Sequence, residues 1–106
     1  LVRYGRRTSG LQLGGIMRRV AITGIGVVAP NGVGREAFWN NCVDGKSGIG
    51  PISSFDASKH PVKIAGEVRD FDPSPLLPPD ARKHLKLMGR AAKFGLGAAA
   101  LAVADS

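Results

Sequence analysis

The chain has 106 residues, and its 43% hydrophobic content is enough for one modest core without disulfides or metals. Its single cysteine excludes an intramolecular disulfide and, with only two histidines, a zinc cluster, so we expect no metal, no cofactor and a reducing cytoplasm. A net charge of +7 suggests a polyanionic partner. However, five arginines lie within residues 1–19 and the later bases are interleaved with acids, so we expect no nucleic-acid partner.

Residues 1–16 carry three arginines and no acid, as signal peptides do, but glycines and a glutamine interrupt their apolar residues. Because they show no periodicity, we expect them to be disordered or a non-native extension, with Met17 as the translation start. The longest apolar stretch, Val20–Pro30, is broken by Thr23, Gly24 and Gly26 and is much shorter than the ~20 residues of a membrane helix. We therefore expect no membrane partner.

The first predicted element is a strand within Val20–Val28, an apolar run rich in β-branched residues that is typical of a strand covered on both faces. It indicates an α/β fold with a central sheet between helices. A turn follows at Ala29–Gly32. Gly24 and Gly26 match the dinucleotide-binding pattern G-x-G-x-x-A, but no helix opens directly after it, so we interpret them as permitting a close structural contact.

The next element is a short amphipathic helix over Arg35–Val43, with Gly45 as its left-handed stop. Its apolar face consists of Phe38, Trp39, Cys42 and Val43. Cys42 has neither a neighbouring base nor a helix N-terminus to activate its thiol, so we expect core packing and not a nucleophile. We expect an irregular segment over Ile49–His60, with His60 in a structural role, and a strand or hairpin arm within residues 62–68.

The pattern Pro78-Pro79-Asp80 predicts the start of a helix that runs to about Leu87. At helical spacing the inward face comprises Ala81, His84, Leu85 and Met88, and the outward face comprises Arg82, Lys83 and Lys86. The sequence does not decide whether this basic face is simply solvated or docks an acidic partner by charge steering.

The last predicted element is a helix over Arg90–Asp105 that is apolar nearly all round, so we expect it to be buried on most sides. Gly95 and Gly97 each cost about 1 kcal/mol in a helix interior, which indicates that packing needs the space. Only one strong and one weak strand are available to cover this helix. We therefore interpret the chain as part of a larger α/β domain.

In chain order, these segments resemble the β-ketoacyl-acyl-carrier-protein synthase family, with residues 17–106 as the N-terminal part of its domain. The matching segments are Arg18–Pro30, Trp39, Gly45–Ile49, Phe55-Asp56, Ile64–Val68, Asp70–Asp72, Met88, Arg90, Phe94 and the alanine-rich helix through Ser106. The resemblance implies a thiolase-like, five-layered αβαβα fold and a homodimer. It also implies decarboxylative condensation of malonyl-acyl-carrier-protein with an enzyme-bound acyl group, in fatty-acid or polyketide elongation.

The family's catalytic residues, a cysteine nucleophile and two histidines, lie beyond the position of Ser106. The resemblance therefore implies no catalytic residue in this segment, and we expect the segment alone to be inactive. Cys42 stands where the family usually has an aliphatic residue.

The family's acidic carrier protein docks on basic residues of the helix that matches Asp80–Met88. The resemblance thus implies a carrier-docking site formed by Arg82, Lys83 and Lys86. A third basic position of the family is Leu87 here, and an aspartate that commonly follows Met88 is Gly89. Two alternatives stay open: a non-catalytic chain-length partner of a polyketide synthase, and an independent basic binding module.

Overall fold

The structure, a computed structural model, describes residues 2–5 and 19–106. Strands and helices both occur, as expected for an α/β protein. The strands are β1 (Val2–Gly5), β2 (Arg19–Ile22), β3 (Val28–Ala29), β4 (Gly32–Val33), β5 (Ile49–Pro51) and β6 (Ile64–Gly66). The helices are α1 (Arg35–Val43), α2 (Pro79–Arg82) and α3 (Arg90–Asp105), with 3₁₀ turns at Ser74–Leu76 and Lys83–Leu87.

Within the described residues the strands form three antiparallel pairs, β1–β2, β3–β4 and β5–β6. The β3–β4 pair closes the turn that the sequence predicts at Ala29–Gly32. The β5–β6 pair places Ile49 opposite Gly66, which confirms a strand within residues 62–68. The sequence predicts an irregular segment over Ile49–His60, and this prediction is wrong for β5. Its pairing partner β6 is distant in sequence, so no local pattern indicates the strand.

The strand β1 lies in the segment for which we expected disorder. Its backbone pairs with β2, with Val2 opposite Ile22 and Gly5 opposite Arg19. Val and Tyr favour extended structure, and an exposed strand edge offers unpaired backbone groups, which accounts for this pairing. The expectation that residues 1–16 are disordered or a non-native extension stays a prediction. The remainder of residues 1–16, at positions 1 and 6–16, lies outside the described residues.

The sequence predicts one covered strand in the apolar run Val20–Val28. In the structure only the two ends of this run lie in strands, β2 and β3, and residues 23–27 lie outside any strand. Val20 and Ile22 are 55% and 77% exposed, so the prediction of a strand covered on both faces is wrong for this chain. Gly24 and Gly26 lie between the two strands. A Cβ at Gly26 would overlap the carbonyl oxygen of Ala98, so the segment packs directly against the backbone of α3. The interpretation of a glycine-permitted close contact is confirmed.

The helices α1 and α3 begin and end at the predicted residues. Their burial differs from prediction: α1 buries no residue fully, Trp39 is 65% exposed, and Gly97 is the fully buried residue of α3. The described elements pack against one side of each helix and leave the other side open. No helix in the described ranges is long and apolar enough to cross a bilayer.

The small core lies beside α3 and the two 3₁₀ turns, and its buried members include Ala57, Pro73, Leu77 and Leu85. The Phe71 ring packs against the backbone of α3 where Gly97 leaves room for it, 5.8 Å from the Phe94 ring between centroids. A Cβ at Gly95, in contrast, would meet no atom within 4 Å. The prediction that packing needs the space is thus confirmed for Gly97 and wrong for Gly95.

The contact between residues 24–26 and α3 predicts a sharp contrast between two glycine substitutions. We expect Gly26→Ala to lower the free energy of unfolding by about 1–3 kcal/mol, because the overlapping atoms belong to a helix backbone that cannot rotate away. Gly95→Ala is the control, with an expected gain of up to about 1 kcal/mol from helix propensity. Urea denaturation measures both, and equal effects would contradict the close packing.

Candidate docking surface

The basic segment that begins at Pro79 is helical, as predicted, but it is not one α-helix. It divides into α2, with Pro79 at its first position and Asp80 in its first turn, and the 3₁₀ turn Lys83–Leu87. A 3₁₀ helix has 3.0 residues per turn, so side chains three positions apart lie in one row. This geometry decides which side chains face solvent.

The 3₁₀ turn sorts its side chains into three rows. Lys83 and Lys86 form a cationic row, and His84 and Leu87 form a second exposed row. Leu85, which is 7% exposed, points inward. The prediction that His84 faces inward is therefore wrong, because the tighter turn rotates it away from Leu85 and into line with Leu87.

The three predicted docking residues are not equivalent. Arg82 is exposed, but its Nε donates a hydrogen bond of 2.9 Å to the Leu77 carbonyl oxygen and so braces the turn. Lys83 and Lys86 are exposed, and neither takes part in an ion pair within residues 19–106. Asp80 is the acidic residue within Pro79–Leu87. The cationic row is thus available for an external anionic partner.

The turn is held on the α3 side by contacts of its flanking residues. Arg90 donates a hydrogen bond to the Val68 carbonyl oxygen, and its guanidinium lies 5.2 Å from the Phe94 ring centroid. On the other flank the Ser74 hydroxyl and then its backbone N–H lower the pKa of Asp72, with Lys93 and Arg82 adding smaller effects. These contacts lie on both sides of the turn that carries the lysine row.

The residues considered for chemistry lie apart from this turn or lack partners for catalysis. Cys42 is exposed, so the expectation of core packing is wrong: α1 turns other residues toward β4, and the thiol sulfur instead accepts a hydrogen bond of 3.4 Å from Asn31 Nδ2. His60 is exposed and stands edge-on to Phe55, with 5.5 Å between ring centroids. Within residues 19–106, no His, Cys, Asp and Glu side chains cluster as a metal site would require.

A cleft that the sequence did not predict has Glu67 on its wall. The cleft has a volume of about 440 Å³ and lies between the β3–β4 turn and the β5–β6 hairpin. The Glu67 carboxylate accepts hydrogen bonds from the Ser53 hydroxyl at 2.7 Å and the Ser54 N–H at 3.0 Å, and it pairs with Arg69 at 3.2 Å.

Hydrogen bonds from Ser53 first and then from Ser54 lower the pKa of Glu67 from 4.5 to about 2. A carboxylate that is held anionic by so many donors is unsuited to proton transfer near neutral pH. We therefore assign Glu67 an anchoring role that joins the loop after β5 to the residues after β6. No sequence pattern marks this anchoring role, because the two serine partners lie 13 and 14 positions away.

The geometry defines an α/β chain with a cationic turn and no catalytic constellation among its described residues. Residues 17–106 match the family described as "Beta-ketoacyl synthase, N-terminal domain". The chain belongs to the β-ketoacyl synthase family.

Its relatives are named as 3-oxoacyl-[acyl-carrier-protein] synthases and polyketide β-ketoacyl synthases. The chain is 38% identical over 89 residues to the "3-oxoacyl-[acyl-carrier-protein] synthase 2" of a Synechocystis strain, covering 84% of this chain and 21% of that protein. It is 42% identical over 89 residues to the "Putative polyketide beta-ketoacyl synthase 2" of Streptomyces halstedii, with the same coverage. The solved structure described as "The ishigamide ketosynthase/chain length factor" matches with a TM-score of 0.64 and 36% identity, over 79% of this chain and 20% of that one. The chain thus spans about a fifth of the length of these relatives.

The depressed pKa of Glu67 predicts how stability depends on pH. Because its pKa is lower in the folded chain, the carboxylate contributes stability that is complete above about pH 4.5 and is lost as the pH falls toward 2. We expect Glu67→Gln to lower stability at pH 7 and to flatten the loss between pH 4.5 and 2. Thermal unfolding at several pH values measures this.

Glu36→Gln is the control for Glu67→Gln, since Glu36 is exposed in the first turn of α1. Asp56 and Asp72 also have lowered pKa values and contribute equally to both variants. An acid-induced loss of the same size in Glu67→Gln and Glu36→Gln would contradict the anchoring role.

Proposed function

We propose that residues 17–106 form the N-terminal part of a β-ketoacyl synthase domain. The whole enzyme condenses malonyl-acyl-carrier-protein with an enzyme-bound acyl group in fatty-acid or polyketide elongation. The match of these residues to the β-ketoacyl synthase N-terminal domain carries this proposal. The relative named 3-oxoacyl-[acyl-carrier-protein] synthase 2 supports the reaction class and the acyl carrier protein as the partner. We further propose the five-layered αβαβα fold, a homodimer and a cytoplasmic location for the whole protein.

In this reaction a cysteine thiolate attacks the thioester of the acyl donor, forms a new thioester with the acyl chain and releases the thiolate of the donor. The malonyl thioester then loses CO₂ to give a carbanion. The carbanion attacks the acyl carbonyl carbon, a carbon–carbon bond forms, and the thiolate leaves. Two histidines assist decarboxylation and stabilise the oxyanion. The segment described here supplies fold and partner contact, and it is inactive alone.

Cys42 is unsuited to the nucleophilic role. It lies in the last turn of α1, at the end of the helix opposite to its N-terminus. A reactive cysteine is expected instead at a helix N-terminus or beside a base. The proposed nucleophile therefore belongs to the remainder of the protein.

The proposed contact with the carrier protein uses the cationic row. Lys83 and Lys86 point the same way and have no internal ion pair within residues 19–106, so their charge is available to steer an acidic surface. Arg82 adds positive charge beside them while it braces the turn.

A second candidate function is that of a non-catalytic chain-length partner. It is favoured by the similarity to the solved structure described as "The ishigamide ketosynthase/chain length factor". The residue at the nucleophile position in the remainder of the protein separates the two. Cysteine supports the condensing enzyme, and any other residue supports the chain-length partner.

An independent basic binding module is disfavoured by the family match and by the small core. Amide exchange of the isolated chain tests it. Slow exchange through residues 98–103 of α3 would support the module.

The condensing enzyme is tested by turnover of the whole protein with malonyl-acyl-carrier-protein and an acyl donor. We expect β-ketoacyl product from the native protein, and a Cys42→Ser variant with kcat/KM within about twofold of it, because Cys42 is not the nucleophile. Loss of the true nucleophile would lower kcat by on the order of 10⁶-fold. Absence of product from the native protein would contradict the condensing function.

The docking contact is tested by charge reversal. We expect the double variant Lys83→Glu, Lys86→Glu to weaken carrier affinity at least about tenfold, chiefly through slower association, and to reduce its dependence on salt. The control is Lys59→Glu, Lys63→Glu, which makes the same change of charge at two other exposed lysines. Equal affinities for the two double variants would remove the proposed site.

A further inference from the structure

Leu87 is the most exposed of the large hydrophobic residues in the described part of the chain, at 88%. The 3₁₀ turn imposes this exposure, because it aligns Leu87 with His84 and directs Leu85 inward. The turn ends at Met88, whose extended backbone leads directly into α3. Leu87 is therefore presented to solvent by the backbone geometry of a braced turn.

The surroundings of Leu87 distinguish it from the other exposed apolar residues. Ile22 and Trp39 lie in elements whose exposed residues include further large apolar side chains, Val20 and Val43. When other parts of a domain cover such surfaces, each Å² of buried apolar area stabilises the fold by about 25 cal/mol. Leu87 instead stands beside a row of two unpaired lysines.

Lysines cannot be buried in a domain interior without paired acids, since the desolvation of an unpaired ammonium is costly. Within residues 19–106 no ion pair engages Lys83 or Lys86. We therefore expect the cationic row to stay at the surface of the whole protein. Leu87 follows Lys86 on the same turn and is 88% exposed, so we expect it to stay there with the lysines.

We propose that Leu87 is the apolar centre of the docking surface whose charge comes from Lys83 and Lys86. The occupant is the acidic acyl carrier protein, which meets Leu87 with an apolar side chain and the two lysines with carboxylates. This inference rests on the proposed function and deepens it. Protein interfaces commonly place an apolar contact inside a charged rim, where the apolar part slows dissociation and the rim accelerates association.

The test compares Leu87→Ser with Leu87→Met in the whole protein, using the malonyl-acyl-carrier-protein of the turnover assay as the probe. Leu87→Ser removes the apolar contact, and we expect affinity to fall about tenfold, mainly through faster dissociation, with an unchanged salt dependence. Leu87→Met keeps an apolar side chain of similar volume and is expected to retain affinity. Val62→Ser, the same type of change at another exposed site, is the control and should have no effect.

Thermal stability and oligomeric mass of each variant separate docking from other roles. The inference requires that Leu87→Ser unfolds at the native temperature and keeps the native mass. A fall in unfolding temperature that accounts for the lost affinity would show that Leu87 is covered by its own domain. A change of mass would show that a second copy covers it. Either result overturns the inference.

The charge-reversed variant makes the two claims separable. If Lys83→Glu, Lys86→Glu weakens binding and Leu87→Ser does not, the docking site stands and the role of Leu87 is wrong. If neither variant weakens binding, the docking site and the role of Leu87 are both wrong. If only Leu87→Ser weakens binding, the surface is apolar without charge steering, which overturns the mixed surface proposed here.

Discussion

The close approach of residues 24–26 to the backbone of α3 is the contact on which the arrangement of the chain depends. Two glycines allow a backbone segment to lie where any Cβ would collide with Ala98 or Ala102. Beside this contact, Asp105 at the end of α3 accepts a hydrogen bond of 3.0 Å from the Ile25 N–H and pairs with Arg35 at 2.8 Å. The first residue of α1 and the last residue of α3 are thereby joined through one carboxylate.

The other end of the same helix lies next to the turn of the proposed docking surface. Phe71 lies against Gly97, and Arg90 contacts both the Val68 carbonyl and the Phe94 ring. These contacts set the start of α3, and Gly89 connects it directly to the 3₁₀ turn. A change at the glycine contact would therefore act on the lysine row through the position of α3, without touching the lysines themselves.

The sequence predicted what local patterns encode. The bounds of Arg35–Val43 and Arg90–Asp105 follow from periodicity and flanking glycines, and both are confirmed. Burial was not predictable, because the exposure of Cys42 depends on which elements pack on α1. The 3₁₀ turn was missed because cations at positions 83 and 86 also suit one face of an α-helix. The partners of Glu67 are distant in sequence, so its anchoring role leaves no pattern.

Two kinds of exposed surface on this chain have opposite energetic consequences. Apolar side chains such as Ile22 and Trp39 gain free energy whenever another surface covers them, whatever the charge of that surface. Lys83 and Lys86 gain only when the covering surface brings carboxylates, because the cost of desolvating two ammonium groups must be offset. Leu87 on the same turn adds an attraction that salt does not screen. A partner that contacts all three residues must present both carboxylates and an apolar side chain to a single helical turn. The two lysines alone would require only the carboxylates.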